Sequence, residues 1–398
     1  MTARPSRRTV LKVGAASAGA AAVAATSPDL LRVRPAGAAA RGRLVFVFLR
    51  GGQDHLSAVV PYTEAAYYDA RPTIAIPAAE VRQLDDQFGF HPAMPGLHSL
   101  YTAGRLAVVV GAGNLAGDRS HFTAQDLCEY GTTARPGDAK GWLGRYLTTT
   151  SATSNSLFRG VAMTGTVPVS LRGANALGIP RIRGFGLDTV VRPMSRLIQD
   201  QYGGNAPVER TGIQALNAAA QISTLTGSIA TDGRTRAFAD LATLLASDLG
   251  VEVAAVDLTG WDTHHEMGTS SEGWMRDLLA ELDTNLATFQ SDLDARGLTD
   301  VTTVVMTEFG RRVAENGSGG TDHGFGSAMF VMGSRVVGGV HGEWAGLAPG
   351  TIGARGDVIP TVDFRDVLGD CARGVLGVTD PGSVFPGHTH RPVGVIAP

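Results

Sequence analysis

The chain has 398 residues, 43% of them hydrophobic and 18% charged, which excludes a largely disordered protein and suffices for one large core or two smaller ones. Its 52 glycines and 19 prolines follow no three-residue period, which excludes a collagen-like fibre. The formal net charge is −3, and the first 40 residues alone carry +5, so the remainder is acidic at −8. Because an acidic domain is a poor non-specific ligand for nucleic acid, no nucleic-acid partner is expected.

The first 40 residues have the order of a targeting segment. A basic stretch with the pair Arg7-Arg8 precedes a weakly apolar run over residues 13–27 and small residues at Ala36, Ala38 and Ala40. This order predicts a signal peptide, and the pair resembles the twin-arginine export signal. About 15 apolar residues are too few for a membrane span, which needs roughly 20. We predict removal of residues 1–40 and export of residues 41–398 to the periplasm, cell surface or medium, without an integral membrane segment.

Continuous apolar runs alternate with helical patterns through the rest of the chain. The runs predict buried strands at residues 43–49, 106–111, 251–257, 301–307 and 329–332. The helical patterns cover residues 122–130, 213–229, 234–249, 272–295 and 364–376. This alternation indicates an α/β domain with a mostly parallel sheet. Residues 148–233 are less regular, and we interpret them as an inserted cap or as long loops.

Polar side chains follow four of the five predicted strands, at the edge where open α/β sheets bind ligands. Carboxylates and imidazoles from different strand ends suit a divalent metal such as zinc or manganese. Asp262 and His264 are spaced to face one ion, and the adjacent Asp322 and His323 can reach two different ones. For any one of these histidines alone, a surface or capping role is the alternative.

Other polar residues leave two interpretations open. Ser120 begins a predicted helix next to Arg119, so it is either a helix cap or a nucleophile beside a metal. The C-terminal pair His388 and His390 either closes a metal site or lies in a solvated tail. No sequence rule says whether the two cysteines, Cys128 and Cys371, form a disulfide.

Several motifs together resemble a known family. Asp322-His323-Gly324 after an apolar strand is similar to the alkaline phosphatase and sulfatase superfamily. A closer resemblance, to the twin-arginine-exported bacterial family named domain of unknown function 1501, lies in the segments 48–52, 119–122, 260–264, 307–311 and 385–387, which read FLRGG, RSHF, GWDTH, TEFGR and FPG. It extends over most of residues 43–390.

The resemblance implies a three-layer α/β/α sandwich that hydrolyses or transfers a phosphate or sulfate ester with one or two divalent ions, zinc first and manganese or calcium otherwise. Carried onto this sequence, the metal ligands are Asp54, Asp262, His264, Glu308, Asp322 and His323. Ser120 becomes the nucleophile, and Arg119 and Arg311 bind the anionic oxygens. The substrate is then a small or polymer-borne anionic ester.

Two departures from the superfamily pattern keep other functions open. Asp262 and His264 are two residues apart where the phosphatases have a spacing of four, and no cysteine lies in the motif of formylglycine sulfatases. The alternative is an exported metal- or carbohydrate-binding protein that keeps the fold without turnover. A phosphomutase or transferase is a third interpretation, which export from the cytoplasm disfavours.

Overall fold

The computed structural model describes residues 42–115, 117–150, 156–185 and 207–398, with side chains from residue 213 onward in the last range. The predicted signal peptide lies outside these residues. The strands are β1 Arg43–Arg50, β2 Val59–Val60, β3 Arg82–Gln83, β4 Gly89–Phe90, β5 Leu106–Gly113, β6 Gly160–Ala162, β7 Leu177–Gly178, β8 Val253–Thr259, β9 Val301–Thr307, β10 Arg311–Glu315, β11 Thr321–His323, β12 Ser327–Gly333, β13 Gly339–His341 and β14 Val362–Asp363. The helices are α1 His55–Ala58, α2 Ala65–Ala70, α3 Pro95–Thr102, α4 His121–Tyr130, α5 Trp142–Thr149, α6 Pro207–Ile222, α7 Gly233–Ala246, α8 Trp274–Ala295 and α9 Phe364–Gly374.

One large sheet organises the described part of the chain. Its strands lie in the order β13-β5-β12-β9-β1-β8-β6-β7, with β14 also paired to β5. β1 is central and pairs in parallel with both β8 and β9. β12 is antiparallel to β5 and to β9, whereas the other pairings in this sheet are parallel. The carboxyl ends of β1, β5, β8 and β9 therefore meet at one edge.

The side chains of β1 divide between two cores, one on each face of the sheet. Val45, Val47 and Leu49 pack with helices α3, α7 and α8, whereas Phe46 and Phe48 pack with helices α5 and α9. Alternate residues of a strand point to opposite faces, so a continuous apolar run fills both cores. Helices on both faces of a mostly parallel sheet make a three-layer α/β/α sandwich, as the sequence predicts.

The irregular region over residues 148–233 contributes to this sandwich where it is described. β6 pairs with β8 and extends the central sheet, and β7 extends it further. Ala218 and Ile222 of α6 join the core on the α7 and α8 face. The division into a domain and an inserted cap stays a prediction.

Helix α6 ends earlier than the sequence pattern predicts. The pattern extends to residue 229, but the helix stops at Ile222. Beyond it, the hydroxyls of Ser223 and Thr224 donate to the carbonyls of Ala220 and Gln221, at 2.7 and 2.8 Å. Serine and threonine hydroxyls that bond to nearby backbone compete with helix continuation.

Two further structural findings bear on the sequence analysis. Both cysteines, Cys128 and Cys371, are buried and free. They lie in the same core, on the face that α5 and α9 cover. Among the described residues, we find no helix with both the length and the apolarity needed to cross a membrane.

Candidate metal centre

Five chain segments meet at the carboxyl edge of the sheet, and four of them bring functional side chains there. The loop after β8 carries Asp262 and His264, the residue after β9 is Glu308, and α4 begins with His121 after the loop from β5. The short strand β11, which pairs with β10, ends at His323. The loop after β1 contributes the backbone of Gly51. Because β1, β5, β8 and β9 point the same way, residues far apart in sequence converge there.

Three imidazoles surround one carboxylate oxygen. The Oδ1 atom of Asp262 lies 3.1 Å from His264 Nε2, 3.2 Å from His323 Nε2 and 3.4 Å from His121 Nε2. The Nε2 atoms of His264 and His323 are 2.9 Å apart. We call these four residues the His–Asp cluster. One ligand atom from each of His121, Asp262 and His323 lies within 4.8 Å of the other two. Imidazole nitrogens and a carboxylate oxygen at such spacing suit a zinc-like ion.

Hydrogen bonds fix which ring nitrogens are free to bind an ion. His121 Nδ1 lies 2.7 Å from Glu308 Oε1, and a carboxylate only accepts, so Nδ1 carries the proton. His323 Nδ1 donates in the same way to the Arg119 carbonyl at 2.9 Å. The Nε2 lone pairs of both rings are therefore left for the cluster. Among the described residues, the buried Nε2 of His121 has no hydrogen-bond partner, as expected of a nitrogen that binds a cation.

The carboxylates at the site are held in their charged forms. Burial by itself would raise the pKa of Asp262, but hydrogen bonding and the charge of Arg311 lower it to about 2. Burial likewise opposes the ionisation of Glu308, yet hydrogen bonds from His121 and Gln125 leave its pKa lowered. The bond to Glu308 raises the pKa of His121, whereas burial lowers that of His323. Two ionised carboxylates beside three imidazoles favour a cation.

Glu308 lies behind His121, in a fully hydrogen-bonded position. Its carboxylate is 1% exposed and accepts from the backbone N–H of Gly51 at 2.9 Å, from Gln125 Nε2 at 2.8 Å and from the Thr307 hydroxyl at 3.0 Å, besides the imidazole. The arrangement is a carboxylate–histidine pair of the kind that orients metal ligands. The sequence analysis predicted Glu308 as a metal ligand. In the structure its carboxylate bonds to His121 Nδ1, on the side of the ring opposite to the cluster.

Arg311 holds Asp262 and the neighbouring loops in place. Its guanidinium is fully buried and donates to Asp262 Oδ1 and to the carbonyl of Gly52, both at 2.6 Å, and to the carbonyl of Thr321 at 3.0 Å. It also donates to the carbonyl of Gly51. The loop can pack this closely because Gly51 has φ +127° and a Cβ there would lie 2.4 Å from the Asp262 nitrogen.

Asp322 and Asp54 have different surroundings from the His–Asp cluster. Asp322 Oδ1 lies 3.6 Å from His264 Nδ1, on the side of that ring away from Asp262, and its Oδ2 lies 3.5 Å from Arg312. Asp54 is fully buried in an ion pair with Arg71, at 2.6 and 2.7 Å. Asp262, His264 and His323 therefore meet at one site with Asp322 beside them, whereas Asp54 lies apart from that site.

Ser120 and Arg119 flank the cluster at the start of α4. Ser120 occupies the N-cap position and is exposed, but its hydroxyl makes no capping hydrogen bond. Arg119 supplies the carbonyl that binds His323, while its guanidinium stacks 4.0 Å from the Phe325 ring centre and pairs with Asp357. The helix-cap interpretation of Ser120 requires a hydrogen bond from a first-turn amide to the serine hydroxyl. The structure shows no such bond.

Three arginines gather on the Asp357 side of the cluster. Burial, together with the charges of Arg355 and Arg312, lowers the pKa of Arg119 against the attraction of Asp357. Arg312 also reaches Asp322 at 3.5 Å. We call Arg119, Arg312 and Arg355 the arginine patch. It carries three positive charges against two carboxylates and is suited to an anionic group.

His121 is the cluster residue that sequence reasoning missed. It follows Ser120 directly and stands at a strand-to-helix connection, which is the signal that selected the other histidines. The remaining histidines singled out in the sequence lie elsewhere: His388 pairs with Asp366 at 2.7 Å and His390 with Asp370 at 2.9 Å. These two pairs anchor the C-terminal segment to α9.

Replacing Glu308 by glutamine is expected to weaken metal affinity about 10–100-fold, the usual effect of losing a carboxylate behind a metal-binding histidine. The amide keeps one acceptor oxygen but is uncharged, and its N–H group would face one of the donors that now bond to the carboxylate. Titration against a chelating dye measures the affinity. Glu315→Gln, which alters a carboxylate bonded to Thr73, is the control. Equal affinities for the two variants would contradict the assignment.

Part of the chain matches a known protein family. The family model described as "Protein of unknown function (DUF1501)" matches residues 190–382, in agreement with the sequence resemblance. No curated protein matches the sequence.

Several solved structures match this chain at low sequence identity. Ps i-CgsB in complex with k-i-k-neocarrahexaose has 12% identity and a TM-score of 0.42, over 87% of this chain and 74% of that one. The C-terminal periplasmic domain of EcEptC from Escherichia coli has 12% identity and a TM-score of 0.40, over 88% of each chain. A protein in the alkaline phosphatase superfamily from Vibrio parahaemolyticus has 9% identity and a TM-score of 0.33, over 75% and 62%.

Proposed function

We propose that this protein is an exported metal-dependent hydrolase of a phosphate or sulfate ester that uses Ser120 as its nucleophile. The observation that carries the proposal is the convergence of His121, Asp262 and His323, with both imidazole Nε2 lone pairs freed by hydrogen bonds at Nδ1. Export rests on the twin-arginine pattern in residues outside the described part of the chain.

The three convergent residues would hold one divalent ion, with zinc the best match to two imidazoles and a carboxylate. Three protein ligands leave a position for a reacting oxygen, and the 46% exposure of the Asp262 side chain leaves that side open to solvent. When bound, the ion would lower the pKa of a nearby hydroxyl and withdraw charge from the ester oxygens. The described residues gather one such ligand set, so we propose one ion rather than two.

The residues around this ligand set would supply the nucleophile, the acid–base group and the groups that bind the anion. Ser120 would attack phosphorus or sulfur through its Oγ while its hydroxyl proton passes to His264, and His264 would then give that proton to the departing alcohol. Asp322, 3.6 Å behind that imidazole, would stabilise its protonated form. Water would then cleave the serine ester, giving a proton to His264, which would return it to the departing Ser120 Oγ. The arginine patch would bind the non-bridging oxygens of the transferred group.

Metal content tests the first part of the proposal. We expect the purified protein to bind about one equivalent of zinc, manganese or calcium, and the His121→Ala, His323→Ala double variant to bind none. His265→Ala is the matched control, because His265 neighbours His264 but contacts Glu266 and Trp274 instead of the cluster. A folded wild-type protein that takes up no divalent ion would contradict the proposal.

A binding protein without turnover is the second candidate. It is favoured by the burial of Asp54 in an ion pair, which removes one of the six predicted ligands from the site. Metal bound by the His–Asp cluster, without hydrolysis of any phosphate, sulfate or phosphonate ester, would support this candidate.

A further inference from the structure

A cavity of about 260 Å³ opens along α4, the helix that begins with His121. Its charged lining residues are Arg50, Asp126, Glu129, Arg172 and Asp257, and Gln125, Thr166, Phe122 and residues 167–169 line it as well. We call it the α4 cavity. The proposed reaction uses none of these residues.

Hydrogen bonds connect the α4 cavity to the cluster. Arg50 donates to Gln125 Oε1 at 3.0 Å, and Gln125 Nε2 donates to Glu308 Oε1 at 2.8 Å. Glu308 in turn holds His121. Along the helix, Phe122 directly follows His121. This chain of hydrogen bonds joins the two sites along α4, which makes the α4 cavity our candidate site for the alcohol part of a substrate.

The charges of the α4 cavity disfavour a second anionic group. Its lining carries three carboxylates and two guanidinium groups, whereas the arginine patch carries an excess of positive charge. One Arg50 nitrogen is shared by Glu129 at 3.1 Å and Asp257 at 2.9 Å, so these groups are fixed in position. Hydrogen-bond acceptors and donors are therefore held side by side, as the hydroxyl groups of a ligand require. The net negative charge of the lining favours an uncharged ligand over an anionic one.

An aromatic ring on the rim adds apolar surface to this polar lining. The Phe122 side chain is 89% exposed, the largest exposure among the large hydrophobic residues that the structure describes as exposed. An exposed aromatic ring next to a binding cleft is a candidate contact surface. A sugar ring offers both features needed here, because its C–H face packs on an aromatic ring while its hydroxyls bond to carboxylates and guanidinium groups.

We infer that the α4 cavity binds a sugar ring, so that the ester hydrolysed at the cluster is a carbohydrate phosphate or sulfate. The assignment of the substrate rests on the proposed function, whereas sugar binding itself does not. The volume suits one monosaccharide unit, with any longer chain extending into solvent past Phe122.

Saturation-transfer NMR tests binding directly. The probes are the uncharged methyl glycosides of glucose, galactose, mannose and N-acetylglucosamine, offered to the wild type and to Phe122→Ala and Asp257→Asn. We expect at least one probe to bind and each variant to weaken it about tenfold or more. Ile229→Ala, which removes another highly exposed apolar side chain, should bind like the wild type. Binding of no probe, or binding that neither variant weakens, would overturn the inference.

Kinetics separate this inference from the proposed function. We expect kcat/KM for a sugar sulfate or phosphate to exceed kcat/KM for 4-nitrophenyl sulfate or phosphate. The ratio of the first value to the second should fall at least tenfold in Phe122→Ala. Sugar binding without hydrolysis of any ester would support the cavity assignment and overturn the hydrolase. Ester hydrolysis by a wild-type protein that binds no glycoside would support the hydrolase and overturn the cavity assignment.

Discussion

Replacing Ser120 by alanine is expected to lower kcat/KM for a responsive phosphate or sulfate ester on the order of 10³-fold or more, because the variant lacks the attacking oxygen. The hydroxyl is exposed at the start of α4 and is not consumed in a helix cap. Metal content should be unchanged, because Ser120 supplies no atom to the ligand set. Steady-state kinetics measures the loss, and mass spectrometry of quenched wild-type protein should detect phosphate or sulfate on this serine.

A matched serine keeps this expectation falsifiable. Ser99 is an exposed helical serine whose hydroxyl donates to the Pro95 carbonyl at 3.0 Å, in helix α3, which contributes no residue to the cluster. Ser99→Ala should retain the wild-type rate. If Ser120→Ala also retained it while His323→Ala lost it, the nucleophile would be a water molecule, and the serine assignment would be wrong.

The strands could be predicted because burial on both faces leaves a strong signal. The run over residues 44–49 contains no polar residue that could face solvent, and the structure places its alternate side chains in two different cores. The direction of β12 could not be predicted in this way. An apolar run reads the same for a parallel and an antiparallel strand, since the difference lies in connections and pairing.

The site could be predicted only as far as strand ends reveal it. Asp262, His264 and His323 meet because parallel strands deliver their following loops to one edge. Asp54 also follows a strand, but a guanidinium 17 residues later binds it away from that edge. Long-range partners of this kind leave no local pattern. His121 carried the same signal as the other histidines, and only the three-dimensional distances distinguish it from His55, which is buried elsewhere with both ring nitrogens unpaired among the described residues.

Replacing Arg71 by methionine is expected to lower the free energy of unfolding by about 3–5 kcal/mol, because it leaves the Asp54 carboxylate buried without its partner. Both side chains are fully buried. Urea unfolding at neutral pH measures the change. Arg105→Met is the control, since Arg105 and Asp294 form a bidentate pair that is 30% and 38% exposed and should contribute less than about 1 kcal/mol. Equal losses in the two variants would contradict the prediction.

The pH dependence of the Arg71→Met variant gives a second test. Burial opposes ionisation of Asp54, but Arg71 and a bond from Ser57 hold its pKa below the ordinary value. In the wild type this stabilisation is present above the unfolded pKa of about 3.9 and is lost as the pH falls through the lower folded value. In the variant the Ser57 bonds are left to oppose the effect of burial, so the pKa of Asp54 should rise and the deficit in stability should shrink as the pH is lowered from neutral.

The same variant should also weaken the metal centre. Arg71 donates to the carbonyls of Val313 at 2.8 Å and Arg312 at 3.1 Å, and so fixes the strand that begins with Arg311. Since Arg311 holds Asp262 in the His–Asp cluster, movement of β10 would disturb a metal ligand that Arg71 does not touch. A loss of zinc affinity in Arg71→Met, absent from Arg105→Met, would show that the buried ion pair of Asp54 supports the site from outside it.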